Sequence, residues 1–315
     1  MDFSLDCIEA IAEVSGGAMP AMWGVKARDN LSHRGRILPL NILTWDFVLQ
    51  PRRLAMRNAL QISLLTALMT TSAFAEEWAK TFSVSGRPDL YVRAGDGSVH
   101  VRSWDRKEIE ARVSTVGWAI GPNDLRIIEH QTGDRVELEV RVPNLGFGIG
   151  RHSIKIELQV PRDLKSDIHT GDGSISLDGL RGETHLSTGD GSIHAEGLDG
   201  TLDARTGDGS IQVRGRFDVL ALQTGDGSIH ADIENGSKMT SSWNIRTGDG
   251  SLRLRLPATF SADLDVRTGD GGIHTNLPVT STSGRRENEL RGKLNAGGPL
   301  LTVRTNDGSV SLERL

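Results

Sequence analysis

The hexapeptide Thr-Gly-Asp-Gly-Ser-Ile at 170–175 returns, with small variations, around Asp190, Asp208, Asp226 and Asp249. Weaker copies carry Asp270, where Gly271-Gly272 replaces Gly-Ser, and Asp307, where Asn306 replaces the first glycine. An earlier copy stands at Gly95-Asp96-Gly97-Ser98, and a degenerate one at Thr132-Gly133-Asp134. The aspartates from Asp172 to Asp226 are 18 residues apart, and the later gaps are 23, 21 and 37. A fixed period with occasional longer gaps describes a stack of equivalent units, in which an insertion lengthens one turn and leaves the register intact.

Each unit reads as two short strands. After the motif, Ile175/Leu177, Ile193/Ala195, Ile211/Val213, Ile229/Ala231, Leu252/Leu254 and Val310/Leu312 alternate with polar residues, the period of a half-buried strand. Before the next motif, Leu202/Ala204/Thr206, Leu220/Leu222/Thr224, Ile245/Thr247, Leu264/Val266/Thr268 and Leu301/Val303/Thr305 share a second inward face. Asp178-Gly179, Asp199-Gly200 and Asn235-Gly236 supply the intervening turns. Two strands of this length cannot bury their own apolar face, but copies stacked about 4.8 Å apart can. The expected fold is all-β, a single-stranded β-solenoid, or β-helix, with two-strand coils of about 18 residues. Threonines 170, 188, 206, 224, 247, 268 and 305 should form an inward ladder bonded along the stack or to the adjacent turn.

Composition agrees with a thin coil. Aromatic residues are 4% of the 315, tyrosine occurs once at Tyr91, and glycine occurs 37 times, so the core is aliphatic and closely spaced. A net charge of −5 lacks the basic footprint needed to neutralise phosphates, which argues against nucleic acid as a partner. Cys7 is the sole cysteine, so neither an internal disulfide nor a cysteine metal site can form.

The strongest apolar run, Ala59 to Met69, follows Met56-Arg57-Asn58 and ends at Ala73-Phe74-Ala75. A positive start, a short apolar centre and a small-x-small end are the three parts of a secretory signal peptide, and the run is too short to span a bilayer. We therefore expect a signal at 56–75, cleaved after Ala75, and residues 1–55 to be a mis-assigned N-terminal extension, with translation starting at Met56. The mature chain would then carry 29 basic and 35 acidic residues, no cysteine and no transmembrane anchor, and would be periplasmic or extracellular. Residues 76–165 are expected to be the irregular N-terminal part of the solenoid, with Trp78, Phe82, Trp104 and Trp118 as a cap. Residues 166–315 would form the regular repeat, with an exposed loop insertion near 278–297.

The Gly-Asp-Gly-Ser repeats, the preceding Leu158-Gln159-Val160-Pro161, and the closing Leu294-Asn295-Ala296-Gly297-Gly298 with Thr305-Asn306-Asp307-Gly308-Ser309-Val310 resemble a bacterial putative-adhesin family built on a domain of unknown function. That family is similar to auto-transporter adhesin head domains. The resemblance spans about 80–315 and implies a right-handed β-solenoid, an envelope or extracellular location and no established catalytic residues.

Candidate sites are few. Asp96, Asp172, Asp190, Asp208, Asp226, Asp249, Asp270 and Asp307 are expected as structural turn residues that accept backbone N–H bonds between glycines of positive φ. Arg205, Arg246, Arg267 and Arg304 would add countercharge. Calcium is the competing reading, but the β-roll pattern needs paired half-turn ligands and is only half matched. His100, His194, His230 and His274 recur at one outward position on non-adjacent coils, which suits a solvated face better than a metal site. Asp203 and Asp265 read as outward polar positions rather than a catalytic pair. The chain contains no Gly-x-Ser-x-Gly, His-Glu-x-x-His or phosphate-loop motif. The expectation is a non-catalytic adhesion or scaffold module with no cofactor and no metal, recognising a glycan or protein surface. The alternatives are an envelope carbohydrate-active enzyme and a calcium-binding β-roll-like protein.

Overall fold

A computed structural model of the chain describes residues 75–142, 152–281 and 286–315. The chain divides into two units, Met1–Met69 and Thr70–Leu315. The extension at 1–55 and the signal, apart from Ala75, lie outside the described residues, as does the Gly-rich segment 144–150.

The described residues form strands and turns without helix. The strands are β1 (Ala75–Ser83), β2 (Asp89–Ala94), β3 (Ser98–Trp104), β4 (Glu108–Val116), β5 (Arg126–Thr132), β6 (Arg135–Arg141) and β7 (Ser153–Pro161). They continue as β8 (Asp163–Thr170), β9 (Ile175–Asp178), β10 (Arg181–Thr188), β11 (Ile193–Thr206), β12 (Ile211–Thr224), β13 (Ile229–Ile233) and β14 (Trp243–Thr247). The last are β15 (Leu252–Leu256), β16 (Ala262–Asp270), β17 (Ile273–Thr275), β18 (Val279–Ser281), β19 (Glu289–Leu294), β20 (Leu300–Asp307) and β21 (Val310–Arg314).

Strands that lead into a motif stack in parallel as one ladder, and strands that leave it stack as a second; we call them the entry and exit ladders. In the middle the pairing follows the period: Asp163, Arg181 and Asp199 are partners, as are Ile175, Ile193, Ile211 and Ile229. That isoleucine stack is about 1% exposed throughout, as the alternation predicts. β11 and β12 run through both ladders, and their pairing carries register shifts between Ala195 and Leu198 and between Gly200 and Thr201.

The ends do not follow sequence order. The first coil, β2 with β3, lies between the β6–β7 coil and the β8–β9 coil. The last coil, β20 with β21, is inserted between β14–β15 and β16–β17. Antiparallel strands then cover the outer edges: β5 on β6, β4 on β7 with β1 beyond it, and β19 on β16. Covering an edge in this way removes a template for uncontrolled pairing.

Three expectations change here. Residues 89–104 are a regular coil rather than irregular cap, because their alternation matches that of the central strands. The N-terminal cap is strand rather than a cluster of rings: Phe82 is a buried core residue, while Trp78 and Trp118 pack against the core from its margin. The described residues of the 278–297 segment include two strands rather than loop alone, since β18 and β19 pair with each other and Leu290 and Leu294 are buried against β16.

Candidate functional surface

The motif turn explains why the repeat is spelled with glycine. In the central coils the second motif glycine is buried, and its carbonyl accepts the threonine hydroxyl of the next coil: Thr188 to Gly173 at 2.8 Å, Thr206 to Gly191 at 2.8 Å, Thr224 to Gly209 at 2.7 Å. The threonine ladder therefore bonds to the adjacent turn. The expected positive φ is absent from these motif glycines and appears at Gly271 and Gly308 near the C-terminal end and at Gly133 of the degenerate copy. What demands glycine is proximity: a Cβ on Gly209 would lie 2.1 Å from the Gly191 carbonyl oxygen. Sequence alone cannot separate the two requirements, since both exclude a side chain.

The motif aspartates are the second correction. All eight are exposed, and none of their carboxylates takes a hydrogen bond or ion pair from any described residue. The turns are held instead by the main chain, with Gly207 N–H donating to the Gly189 carbonyl at 2.6 Å and Ile193 N–H to that of Ser210 at 2.9 Å. Asp134 belongs to a different structure, the β5–β6 hairpin, where its carboxylate accepts the N–H groups of Ser85 at 2.7 Å and Gly86 at 2.9 Å. The Ser85 backbone bond chiefly holds its pKa below the usual carboxylate value.

Of the arginines expected beside those aspartates, Arg205, Arg267 and Arg304 serve other partners. Arg205 reaches Asp203 at 2.8 Å. Arg267 and Arg304 reach Asp265, at 3.1 and 3.2 Å, and Arg291 joins them at 3.4 Å. Asp203 and Asp265 lie four coils apart in the ladder, so they are not a pair.

On the exit face the register runs His100, Ser176, His194, Gln212, His230, Arg253, Ser311, His274. No two histidines are neighbours, and among the described residues no group of three metal-capable side chains converges. His194 lies 3.2 Å from Glu196 and His230 3.0 Å from Asp232. Burial works to raise the Asp232 pKa, but the Arg255 hydrogen bonds and the charges of His230 and Arg255 outweigh it and leave the pKa lowered. Asp199 is lowered by its bonds to Arg216 first, with Arg181 adding to the effect. Both carboxylates contribute stability that is present above their unfolded pKa and lost as pH falls through the lowered folded value.

Shallow grooves cross both faces. One is lined by His100, Arg102, Glu110, Arg112 and Glu157, another by Tyr91, Arg93, His130, Arg135 and Glu137. Their carboxylates are partnered: Glu110 with Arg112 at 3.3 Å, Glu157 with Lys155 at 2.6 Å, Glu137 with Arg135 at 2.6 Å. The Lys155 hydrogen bond holds Glu157 below its ordinary pKa, the opposite of what a general acid needs.

An all-β stack of parallel two-strand coils with antiparallel end strands is thus the class of protein. Residues 88–313 match the family described as Toastrack DUF4097, and the chain belongs to that family. Among solved structures it is similar to a "putative cell adhesion protein" from Clostridium sporogenes, at 14% identity and TM-score 0.39, covering 76% of this chain and 100% of that one. It is also similar to a "putative adhesin" from Bacteroides fragilis, at 11% identity and TM-score 0.38, with 76% and 97% covered. A third, a "putative adhesin" from Parabacteroides merdae, has 10% identity and TM-score 0.39, with 76% and 96% covered. No curated protein matches the chain. No helix among the described residues is long and apolar enough to cross a membrane.

Proposed function

We propose that the protein is an exported, non-catalytic surface-binding module of the adhesin type, wound as a right-handed β-solenoid, that engages a glycan or protein surface through a ladder face. The observation that carries this reading is the long row of like positions on each outward face. Nine stacked coils, from β6–β7 to β16–β17, hold corresponding side chains about 4.8 Å apart over roughly 40 Å. Such a face offers many weak, equivalent contacts, which suits a repetitive partner. Export rests on the signal pattern at 56–75.

The test has two arms. N-terminal sequencing of the exported protein should begin at Glu76; recovery of residues 1–55 in the natural product would overturn the start and cleavage sites. The exported protein should bind intact cells or a glycan array without shortening any glycan polymer, and depolymerisation would establish the enzyme alternative instead.

A further inference from the structure

One outward row of the entry ladder differs from the rest in sign. It lies immediately before the buried threonine, and its register runs Arg93, His169, Ser187, Arg205, Gln223, Arg246, Arg304, Arg267. The chain as a whole has 41 acidic residues against 36 basic, yet the row holds one carboxylate, Glu139 beside Arg93 on the terminal strand β6, and none in the eight coils from β2 to β16. Three successive arginines close it, on β14, β20 and β16.

Around these three the charge is only partly compensated. Arg267, Arg291 and Arg304 converge on Asp265, and Arg267 and Arg291 also reach Glu289, at 3.5 and 2.9 Å. The Arg246 side chain has no ion pair or hydrogen bond with any described residue. Four guanidinium groups thus face two carboxylates. The carboxylates are the sunken members: the Asp265 side chain is 18% exposed, whereas those of Arg267, Arg291 and Arg304 are 40–46% exposed. Each guanidinium has five donors in a planar fork, so most of the donors on this patch remain free towards solvent.

We propose that this row is the contact line for a linear glycan bearing carboxylates, laid along the stack axis with its acid groups on Arg246, Arg304 and Arg267. The proposal rests on the surface-binding reading above and names its ligand class. Bidentate pairing of arginine with carboxylate gives the fit, and the coil spacing of about 4.8 Å is close to the length of one sugar residue in an extended chain. The motif aspartates Asp249, Asp307 and Asp270 follow their row arginines by three residues, about 10 Å along the strand. That is beyond the Debye length of about 8 Å at physiological salt, so salt largely screens the acidic row from a polyanion held on the basic one. A membrane would need an apolar wedge, and Leu300 is the large exposed apolar residue on these strands.

The full-length protein should bind immobilised polygalacturonate and not a neutral galactan, with affinity falling as salt rises. The double variant Arg246→Gln with Arg304→Gln should weaken binding roughly tenfold without changing the thermal melt. The double variant Arg214→Gln with Arg253→Gln, equal in charge lost but placed on the exit ladder, should bind nearly as well as the parent. Absence of polygalacturonate binding at low salt, equal losses in the two double variants, or tighter binding to DNA or to phosphatidylglycerol vesicles would overturn the proposal. If polygalacturonate fails while intact cells still bind, the row is wrong and the surface-binding module stands. If cells fail too, both readings fall.

Discussion

The central coils and the end coils are built from the same motif but assembled by different rules. Between β8 and β13 each coil pairs with the next one in sequence, and a step of 18 residues carries Asp163 to Arg181 to Asp199. At either end the chain doubles back, placing its first coil second in the stack and its last coil next to last. The comparison teaches that a repeat specifies what one coil offers its neighbours, while the order of coils is settled by which edges are left to cover. A regular coil presents two open edges. An antiparallel strand such as β4 or β19 closes one, and it must be made from chain that is not itself a repeat.

The largest expected effect therefore comes from removing an inserted coil. Deleting residues 300–315 takes out β20 and β21, which separate β14–β15 from β16–β17, so amides from Trp243 to Thr275 should lose hydrogen-exchange protection while those from Ile175 to Ala231 keep it. Protection retained through β16 would mean that the penultimate coil closes directly onto β14 and that the end order is not fixed by the inserted strands.

Within the regular stack, Ile211→Asp puts an unpaired charge at a position 1% exposed and should cost roughly 4 kcal/mol or more. His194→Asp, on the neighbouring strand but outward, should cost little. Equal losses in thermal melts of the two variants would refute the register.

Glycine replacement sharpens the contrast between regions. Gly209→Ala drives a Cβ to 2.1 Å from a backbone oxygen, whereas Gly97→Ala in the first coil meets the Ile154 Cγ2 at 3.1 Å, a side chain that can give way. The central substitution should destabilise by roughly 1–3 kcal/mol, measured by denaturant midpoint, and the end substitution by clearly less. An inverted order would show that the close approach is not what the motif glycine serves.

The smallest effect is expected at the aspartates. Asp208→Asn removes a carboxylate that no described residue binds, and relieves repulsion from Asp190 and Asp226, so melting should stay the same or rise slightly. Millimolar calcium should leave the native melt unchanged; a rise of several degrees, reversed by chelator and blunted in Asp208→Asn, would make the row a cation ladder.

Much of this molecule could be read without coordinates. Alternation at Ile193/Ala195 or Leu220/Leu222 fixed which side chains turn inward, and the period fixed their partners, because a strand has only two faces and a stack aligns identical ones. Besides the first coil and the N-terminal cap, three things escaped. The sequence assigned motif glycines to positive φ when contact with the coil beside them is the cause, and it gave the motif aspartates backbone partners that the neighbouring main chain already occupies. It also treated 278–297 as loop because charges dominate there, though Leu290 and Leu294 are enough to dock a strand.

What the amino-acid sequence determined was therefore the coil: its two strands, its inward residues and its glycine turn, all set by interactions that recur at a fixed spacing. Only the tertiary structure decided the order of coils at the ends and the meeting of Arg246, Arg304 and Arg267. Those residues are 21 and 37 positions apart along the chain in the order 246, 267, 304, and no local pattern says that Arg304 lies between the other two. That placement follows from long-range edge pairing, which depends on which strands remain uncovered once the regular coils have stacked.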